Sequence, residues 1–383
     1  MFGKGVKIKK ENMSLKFTAL EVGSGDAFLL EDENRKILFD SGGSKNKIVA
    51  LLRKKGITKI DLAICSHNDV DHANGFIGLL ESVDYDIDEI WLPGTWATIL
   101  KYVRDNGIFP EEIEWIVNTT KDLKEKNCND VIFRDGEDSV SDLFDKESIE
   151  SIEDFDDGLS YFSELIDSDL YDSMNRRYLH YEYYYRLRQN DEMRCECLSL
   201  LKLDRIIKIC GLAYQKGSKI RWFEPVKGCP INIVDRGFVA LNSHEMCRIQ
   251  KFKNAQSFAK FFTLTIENEC SLVFEYWEKD TPIIRFSADS DCTCQSKPYT
   301  NNIIITAPHH GSDANAIVYT TIQGKDIIWV RSDRKSSKRP CADFKNQLNR
   351  YCLACRNGNF KSEIQFEFQG NKWQHKSGNN CTC

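Results

Sequence analysis

The residues that decide the fold form one short run, which follows an apolar stretch at residues 61–65. The run reads Ser66-His67-Asn68-Asp69-Val70-Asp71-His72. If the stretch is a buried strand and the run an extended loop, residues 67, 69 and 71 point the same way, with His72 beside them. Two imidazoles and two carboxylates that converge in this way suit one or two divalent cations. The run therefore predicts a metal site at a strand end.

Two later segments carry residues of the same kind at predicted strand ends. Ala307-Pro308-His309-His310-Gly311-Ser312 follows an apolar strand and contains two of the seven histidines. Phe286-Ser287-Ala288-Asp289-Ser290-Asp291 ends another strand, and a carboxylate there can bridge two cations. Each segment alone is compatible with a surface loop. Together with the first run they predict one metal centre.

The pattern of apolar residues predicts a mixed sheet with helices packed on it. Before residue 95 we expect strands at 15–22, 27–30, 36–39, 61–65 and 89–92. We also expect a helix at 45–55 and another that starts with residues 75–82. After residue 213 we expect strands at 219–223, 261–266, 271–277, 283–287, 302–306, 326–330 and 363–368.

The middle of the chain has a different character, poor in strand patterns and rich in helix patterns. Residues 135–172 contain fifteen acidic residues and one basic residue, and residues 178–185 are rich in tyrosine. The tyrosines favour helix packing over a base-stacking platform. We therefore expect three parts: residues 1–104 and 213–383 as two halves of one domain, the second with a cysteine-rich tail, and a helical, partly acidic insertion at 105–212.

The net charge of −6 conceals an asymmetry along the chain. Without the acidic run, 43 acidic and 51 basic residues remain. The run is either a solvated helical face or an acidic arm that covers a basic body.

Composition excludes several classes of protein. With 41% hydrophobic and 29% charged residues, disorder is not the main state. No apolar window is long enough to span a membrane, and the N-terminal residues lack the apolar core of a signal peptide, so we expect a cytoplasmic protein with no membrane partner. Most of the 15 cysteines are then expected to be reduced, with a minority holding a metal.

Taken together, these motifs resemble the metallo-β-lactamase superfamily and, within it, the soluble hydrolase domain of ComEC-type DNA-uptake proteins. The likeness covers residues 15–95 and about 215–370. It implies an αββα sandwich with an inserted helical subdomain, and a metal-dependent hydrolase. The motifs that carry it are Leu20-Glu21-Val22-Gly23-Ser24-Gly25-Asp26-Ala27, Phe39-Asp40-Ser41-Gly42, the run 66–72 with Asp69 where most members have His, Asn-x-x-Ser-Leu-Val at 268–273, Ala288-Asp289 and Pro308-His309-His310-Gly311-Ser312.

The resemblance also implies roles for individual residues. His67 and Asp69 would hold metal 1, Asp71 and His72 metal 2, and Asp289 would bridge the two ions. His310 would bind a metal and His309 the substrate phosphate, although the order could be swapped. Asp40 would orient a ligand from outside the coordination sphere.

One departure from the family pattern concerns metal 1, for which members usually supply a third histidine. Here the corresponding neighbourhood contains Glu267. Either Glu267 takes that role or metal 1 is weakly held, and His244 is a remote alternative.

The chemistry implied is attack by a metal-bridged hydroxide on a phosphodiester, with Asp71 accepting or steering the proton and His309 stabilising charge. Because Asp69 replaces an imidazole by a harder ligand, manganese is favoured, with zinc or magnesium as alternatives.

Two further features lie towards the C-terminus. A basic loop is either a solvated loop or a rim for nucleic acid; it contains Arg331, Arg334, Lys335, Lys338 and Arg339. Cys352-x-x-Cys355 and Cys381-x-Cys383 have spacings compatible with a structural zinc site or with free thiols. Cys292-x-Cys294 and Cys195-x-Cys197 are similar.

Three functional hypotheses remain open at this point. The first is a nuclease or other phosphodiesterase acting on nucleic acid, and the second is a hydrolase of a small phosphoester, cyclic nucleotide, lactone or thioester. The third is a non-catalytic adaptor that binds a protein partner through the insertion. A role in antiviral defence is an analogy at the level of fold alone.

Overall fold

Two β-sheets face each other at the centre of the protein, and helices cover their outer faces. The computed structural model describes residues 15–107, 143–168, 191–226, 228–235, 237–265, 271–299, 302–355, 363–378 and 380–383, with the backbone alone at 146–147 and 191–200. Glu267, the tyrosine-rich stretch and two parts of the acidic run, at 135–142 and 169–172, lie outside these residues.

The first sheet has nine strands, in the spatial order β12-β9-β7-β5-β3-β2-β1-β19-β20. Its strands are β1 (Leu15–Ala19), β2 (Phe28–Glu31), β3 (Lys36–Phe39), β5 (Leu62–Ile64), β7 (Glu89–Pro93), β9 (Lys219–Pro225), β12 (Ser243–Glu245), β19 (Ile364–Gln369) and β20 (Lys372–Ser377). The central strands β3, β5, β7 and β9 run parallel to one another.

The second sheet has seven strands, in the order β10-β11-β14-β15-β16-β17-β18. They are β10 (Asn232–Ile233), β11 (Phe238–Ala240), β14 (Phe274–Glu278), β15 (Thr281–Phe286), β16 (Ile304–Thr306), β17 (Ile328–Arg331) and β18 (Arg350–Cys352). Strands β15 to β18 are parallel. Two strand pairs stand apart, β4 (Lys59–Ile60) with β6 (Asp86–Ile87) and β8 (Phe144–Ser151) with β13 (Arg248–Phe252).

Aromatic side chains of both sheets fill the space between them. Phe39 of β3 stacks on Phe286 of β15 with ring centroids 4.4 Å apart. Phe17 and Phe274 belong to the same buried cluster. A core of this kind fixes the distance between the sheets, and with it the distance between the loops that leave them.

Helices complete an αββα sandwich, as predicted. Those with buried side chains on the first sheet include α1 (Lys45–Lys54), α2 (Val70–Glu81), α3 (Gly94–Asn106) and, further along the chain, α6 (Asp191–Gln215) and α7 (Ala255–Thr265). Those on the second sheet are the short α8 (Ile317–Thr321) and α9 (Ala342–Lys345). Two more short helices are α4 (Ile152–Asp157) and α5 (Ser160–Ile166).

Two local predictions are wrong. The expected strand at 261–266 falls on α7, where Phe258 and Phe262 are buried four residues apart on one helical face; a short apolar run does not distinguish a strand from a buried helix. The expected extended loop ends sooner than predicted, because α2 begins at Val70 with Asp69 at its N-cap. Asp71 and His72 therefore lie in the first helical turn.

The described part of residues 105–212 contains α4, α5 and most of α6, together with one unpredicted strand, β8, which pairs with β13. Helix α6 continues to Gln215, and Ile206, Ile209 and Ala213 are buried in the cluster that covers the first sheet. The proposed three-part division of the chain stays a prediction.

Cys229 and Cys294 form a disulfide, which contradicts the expectation of reduced thiols for this pair and removes Cys294 from any metal site. Among the described helices, none combines the length and the apolar character needed to cross a membrane.

Candidate metal centre

The loops that follow parallel strands of both sheets meet at one edge of the sandwich. Asp40 follows β3 and His67 lies three residues after β5, whereas Asp289 follows β15 and the His309-His310 pair follows β16. Because carboxyl ends of parallel strands share an edge, residues far apart in sequence converge there. The sandwich thus brings both halves of the chain to one site.

The first group of ligand-type residues comprises His67, Asp69 and Asp289, with one ligand atom of each within 4.8 Å of the others. His67 Nε2 lies 3.9 Å from Asp69 Oδ2 and 3.8 Å from Asp289 Oδ2. An imidazole and two carboxylates suit a divalent cation that accepts oxygen ligands.

The second group comprises Asp26, His72, Asp289 and His310, all four of them buried. His72 Nε2 lies 3.1 Å from Asp289 Oδ1 and 3.2 Å from His310 Nε2. Asp289 belongs to both groups, as expected of a bridging carboxylate.

Hydrogen bonds on the far side of each imidazole orient its other nitrogen towards the site. His72 Nδ1 lies 2.9 Å from Asp40 Oδ2, and His310 Nδ1 lies 3.1 Å from Asp26 Oδ1. Ser66 Oγ donates to Asp40 Oδ2 and lies 2.9 Å from His67 Nδ1. These partners place a proton on Nδ1 of all three rings, so that Nε2 is the nitrogen that each ring would offer to a cation, the arrangement that metal-bound histidines adopt.

Two buried polar atoms support the presence of a cation. His67 Nε2 and Asp26 Oδ2 are inaccessible to water and find no hydrogen-bond partner within the described structure. A buried polar atom without a partner costs about 1–3 kcal/mol, which coordination to a metal would remove. The residues present therefore fit two divalent ions.

The electrostatics agree with this fit. Burial, helped by the neighbouring His72, lowers the pKa of His67 to about 4, so its imidazole is neutral and free to coordinate at pH 7. Burial also lowers the pKa of His310, but Asp26 and Asp289 outweigh it and raise that pKa to about 10. The buried carboxylates of Asp26 and Asp289 are stabilised by a nearby positive charge, which a divalent cation would supply in place of the protonated His310.

The backbone around the site is strained. Four residues other than glycine have left-handed φ angles there: Asp40 (55°), Ala288 (46°), His309 (45°) and His310 (53°). Such conformations cost about 1–3 kcal/mol each and cluster at functional sites. Gly25 is required for another reason, because a Cβ at this position would lie 1.6 Å from the carbonyl oxygen of Asp71.

The structure places the remaining predicted residues as follows. Asp71 lies outside both groups, although its Oδ2 is 3.4 Å from His310 Nε2 and its side chain is 25% exposed. His309 faces the site from a more open position, with Nε2 3.5 Å from Asp289 Oδ2 and Nδ1 3.1 Å from Asn315 Oδ1. His244 is half exposed on the edge strand β12, near Glu224.

Sequence reasoning missed Asp26 as a ligand candidate. It treated the Gly25-Asp26 turn as a motif and assigned no role to the carboxylate. The available signal was an acidic residue directly before the apolar run 27–30, a place where a carboxylate becomes buried.

The basic loop is connected to the His309-His310 segment, because Arg331 Nε donates to the carbonyl oxygen of His310. Arg331 is the most buried of the five predicted rim residues, and it is one of the residues that line the cavity beside the loop. Arg334, Lys335 and Lys338 are exposed, and Arg339 is partly exposed. Burial lowers the pKa of His309, and the charge on Arg339 contributes to that lowering.

A cavity of about 790 Å³ opens beside this loop. Its lining includes five basic residues and no acidic one: Arg331, Arg334, Lys335, Arg339 and Lys345. Cys355 and Cys383 also line it, whereas the residues of the two His/Asp groups do not. The cavity thus presents a positive surface next to the His309-His310 loop.

The four cysteines of the C-terminal pairs also converge. Cys352, Cys355, Cys381 and Cys383 each place a sulfur within 4.8 Å of the others, as a group that could hold a metal ion.

Comparison with known proteins agrees with this geometry. Residues 20–119 match the family model described as the metallo-beta-lactamase superfamily, and this range contains the run 66–72. A search of curated proteins finds no match. The family match and the His/Asp groups together indicate a metal-dependent hydrolase.

Proposed function

We propose that this protein is a metal-dependent phosphodiesterase that cleaves nucleic acid. The observation that carries the proposal is a basic cavity lined by Arg334, Lys335, Arg339 and Lys345. The loop that forms it is connected to the metal centre through Arg331, which donates to the carbonyl oxygen of His310. A surface of one charge next to a catalytic site attracts substrates of the opposite charge, and a polyphosphate chain engages several cations at once. The resemblance of the sequence motifs to ComEC-type hydrolase domains also supports this proposal.

The residues of the chain divide the work of hydrolysis between them. Divalent ions held by the two groups would lower the pKa of a water molecule and polarise a phosphoryl oxygen. Asp71, partly exposed, accepts or steers the proton that the attacking water loses.

His309 acts on the substrate in this proposal. Its Nδ1 is held by Asn315, so Nε2 faces the site. An approaching phosphate favours the protonated ring, whose Nε2–H then donates to a phosphoryl oxygen as charge develops there.

The metal preference follows from Asp69. A carboxylate in place of an imidazole makes the first group richer in oxygen ligands, which favours manganese over zinc. We expect higher turnover with manganese than with zinc at equal concentration, and full activity with zinc alone would contradict this assignment.

The test is incubation of the protein with labelled single-stranded DNA, double-stranded DNA and RNA under manganese, magnesium and zinc. Bis-p-nitrophenyl phosphate serves as a small phosphodiester. Cleavage of nucleic acid should weaken steeply with salt, and replacing both Arg334 and Lys335 by Ala should reduce the slope of log affinity against log salt by about 0.7 per lost contact on a single strand. Lys372→Ala, a distant exposed cation, is the matched control.

Two outcomes would favour the rival functions. Turnover of the small ester with no cleavage of nucleic acid, insensitive to salt, would support a small-ester hydrolase. Bound metal with no hydrolysis of any of these substrates would support an adaptor.

A further inference from the structure

Four cysteines bring together two segments of the chain that are distant in sequence. Cys352 ends β18 and Cys355 follows three residues later, whereas Cys381 and Cys383 belong to the C-terminal segment. A hydrogen bond from the amide of Cys381 to the carbonyl of Arg350 brings the two segments side by side.

The distances between the sulfurs match a tetrahedral metal site. Cys355 Sγ lies 3.8 Å from Cys381 Sγ and 3.2 Å from Cys383 Sγ, and Cys383 Sγ lies 3.9 Å from Cys352 Sγ. Four sulfurs at about 2.3 Å from a zinc ion stand about 3.8 Å apart. A disulfide requires about 2.05 Å, so the cysteines are not paired covalently.

The surroundings of the sulfurs favour the thiolate form that a metal requires. Arg331 is fully buried and donates from Nη1 to Cys352 Sγ at 3.1 Å. Cys352 and Cys381 are themselves buried. Four thiolates exceed the charge of one guanidinium by three, and a divalent cation offsets two of those three charges.

The same arginine connects the cysteines to the metal centre. Arg331 Nε donates to the carbonyl oxygen of His310 at 2.6 Å. In the parallel register of β17 and β18, Arg331 lies opposite Cys352. A displacement of Cys352 would therefore move Arg331, and with it the strained backbone of His310.

We propose that Cys352, Cys355, Cys381 and Cys383 bind a structural zinc ion, and that this ion, acting through Arg331, positions His310. A closed site of four thiolates is the arrangement in which zinc serves structure, because no position is left for substrate. The proposal is independent of the substrate assigned above. Arg331 is a positioning residue in it.

Cobalt substitution gives the direct test. Full-length protein refilled with Co²⁺ should show intense visible bands together with a near-ultraviolet thiolate-to-cobalt charge-transfer band, which His and Asp ligands do not produce. Protein as purified should release about one zinc ion per chain on treatment with a thiol-modifying mercurial, beyond any metal removed beforehand by a mild chelator.

Variants separate this site from the His/Asp groups. Cys355→Ser should lose the charge-transfer band and the mercurial-released zinc, and Cys355→His should keep the zinc because three thiolates and one imidazole also form a closed site. The control is Cys247→Ser, an exposed free cysteine outside the cluster. Absence of the band in the wild type, with all four thiols open to titration, would overturn the zinc site.

The link through Arg331 has its own readout, the affinity of the His/Asp groups for Mn²⁺. Disturbing an outer partner of a metal ligand costs 10–100-fold in affinity, so Cys355→Ser should bind Mn²⁺ at least ~10-fold more weakly, and Cys355→His should restore the affinity. If Cys355→Ser loses zinc and binds Mn²⁺ as the wild type does, the positioning role of Arg331 is wrong.

Discussion

Asp289 is the residue on which both metal groups depend, because its two carboxylate oxygens face different histidines. Oδ1 lies 3.1 Å from His72 Nε2, and Oδ2 lies 3.8 Å from His67 Nε2. Its negative charge would offset the repulsion between two cations bound at these groups. Asp289 is thus the residue that the two candidate metal groups have in common.

Replacing Asp289 by Ala should therefore abolish paired metal binding and lower turnover by ~10³-fold or more, since several kcal/mol of transition-state stabilisation depend on the ions. Bound metal and turnover are the measurements. Asp291→Ala, an exposed carboxylate two residues away, is the control and should match the wild type. Full turnover in Asp289→Ala would refute the dinuclear hydrolase proposal.

The two neighbouring histidines should respond differently to substitution. The side chain of His310 is 1% exposed, whereas that of His309 is 21% exposed. We expect His310→Ala to lose metal, and His309→Ala to keep metal near the normal content while turnover falls ~10²-fold, the effect of losing one charge-stabilising group. If His309→Ala loses metal and His310→Ala retains it, then His309 is the metal ligand and His310 the residue that contacts the substrate.

At this scale the sequence identified residue types better than it identified geometry. The run 66–72 and the segments with Asp289 and His310 stood out because clustered ligand-type side chains at strand ends are rare. The burial of Asp26 and of Arg331 depends on the packing of one sheet against the other, which local sequence does not encode.

Among the elements, α6 has a role at the site that its sequence does not reveal. Arg205 Nη1 donates to the carbonyl oxygen of Asn68 at 2.5 Å, and Lys202 Nζ lies 3.3 Å from Asp69 Oδ1. Asn68 Nδ2 in turn donates to the carbonyl of Lys202. A helix from the predicted insertion thus holds the loop that carries His67 and Asp69.

Truncating Arg205 to Ala should loosen that loop, because the buried carbonyl of Asn68 then loses its partner, at a cost of about 1–3 kcal/mol. We expect metal affinity at the His67 group to fall ~10-fold, as for other outer partners of ligands. Mn²⁺ titration measures this, and Lys208→Ala, a cation paired with Asp204 on the same helix, is the control. Equal Mn²⁺ affinity of the Arg205→Ala and Lys208→Ala variants would show that the contact from α6 does not affect metal binding.

A second contact joins α4 to the first sheet, where Trp222 Nε1 donates to Asp156 Oδ1 at 2.8 Å. Burial raises the pKa of Asp156 to about 6. Because this pKa is above the usual value of about 3.9, the folded state binds the proton more tightly, and the resulting stability is present at low pH and lost as pH rises to about 6. We therefore expect Asp156→Asn to reduce the decline in melting temperature between pH 4 and 6. Asp86→Asn, at an exposed site, is the control and should leave the decline unchanged. Melting temperatures of Asp156→Asn that follow the wild-type dependence on pH would contradict this role of Asp156.

Elements were predictable where their pattern was long or unambiguous, as for α1, β3 and β7. The prediction failed at residues 261–266, where four apolar residues among six belong to the end of a buried helix rather than to a strand. It also failed at residue 70, where the helix begins inside the run 66–72. The short edge strands β10 and β12 have little pattern of their own and form through pairing with β11 and β9.

Considered as a whole, the molecule draws the candidate metal ligands from both sheets. His67 lies in the loop after β5 and His72 in the first turn of α2, whereas Asp289 and His310 follow strands β15 and β16 of the second sheet. The layered architecture followed from the sequence because strand order and motif order agreed with a known sandwich. The contact of the two sheets at the site is a tertiary property, which the resemblance implied and the residue pattern alone did not.

This arrangement makes metal binding a source of stability for the whole fold. An ion held by ligands from both sheets binds the folded state and has no assembled site in the unfolded chain. At a free-ion concentration 100-fold above the dissociation constant, one site contributes about 2.7 kcal/mol. Chelation should therefore lower the melting temperature, and added Mn²⁺ should raise it with increasing concentration.

The variant that tests this coupling is Asp289→Ala, whose melting temperature should no longer depend on Mn²⁺, whereas Asp291→Ala should respond as the wild type does. Zinc held by the cysteines remains in both variants if the chelator is mild, so the difference between them reports the His/Asp groups alone. A wild-type melting temperature that is indifferent to Mn²⁺, in protein shown to bind it, would mean that the unfolded chain binds the ion as tightly as the folded protein does. That result would contradict a site that is assembled only by folding.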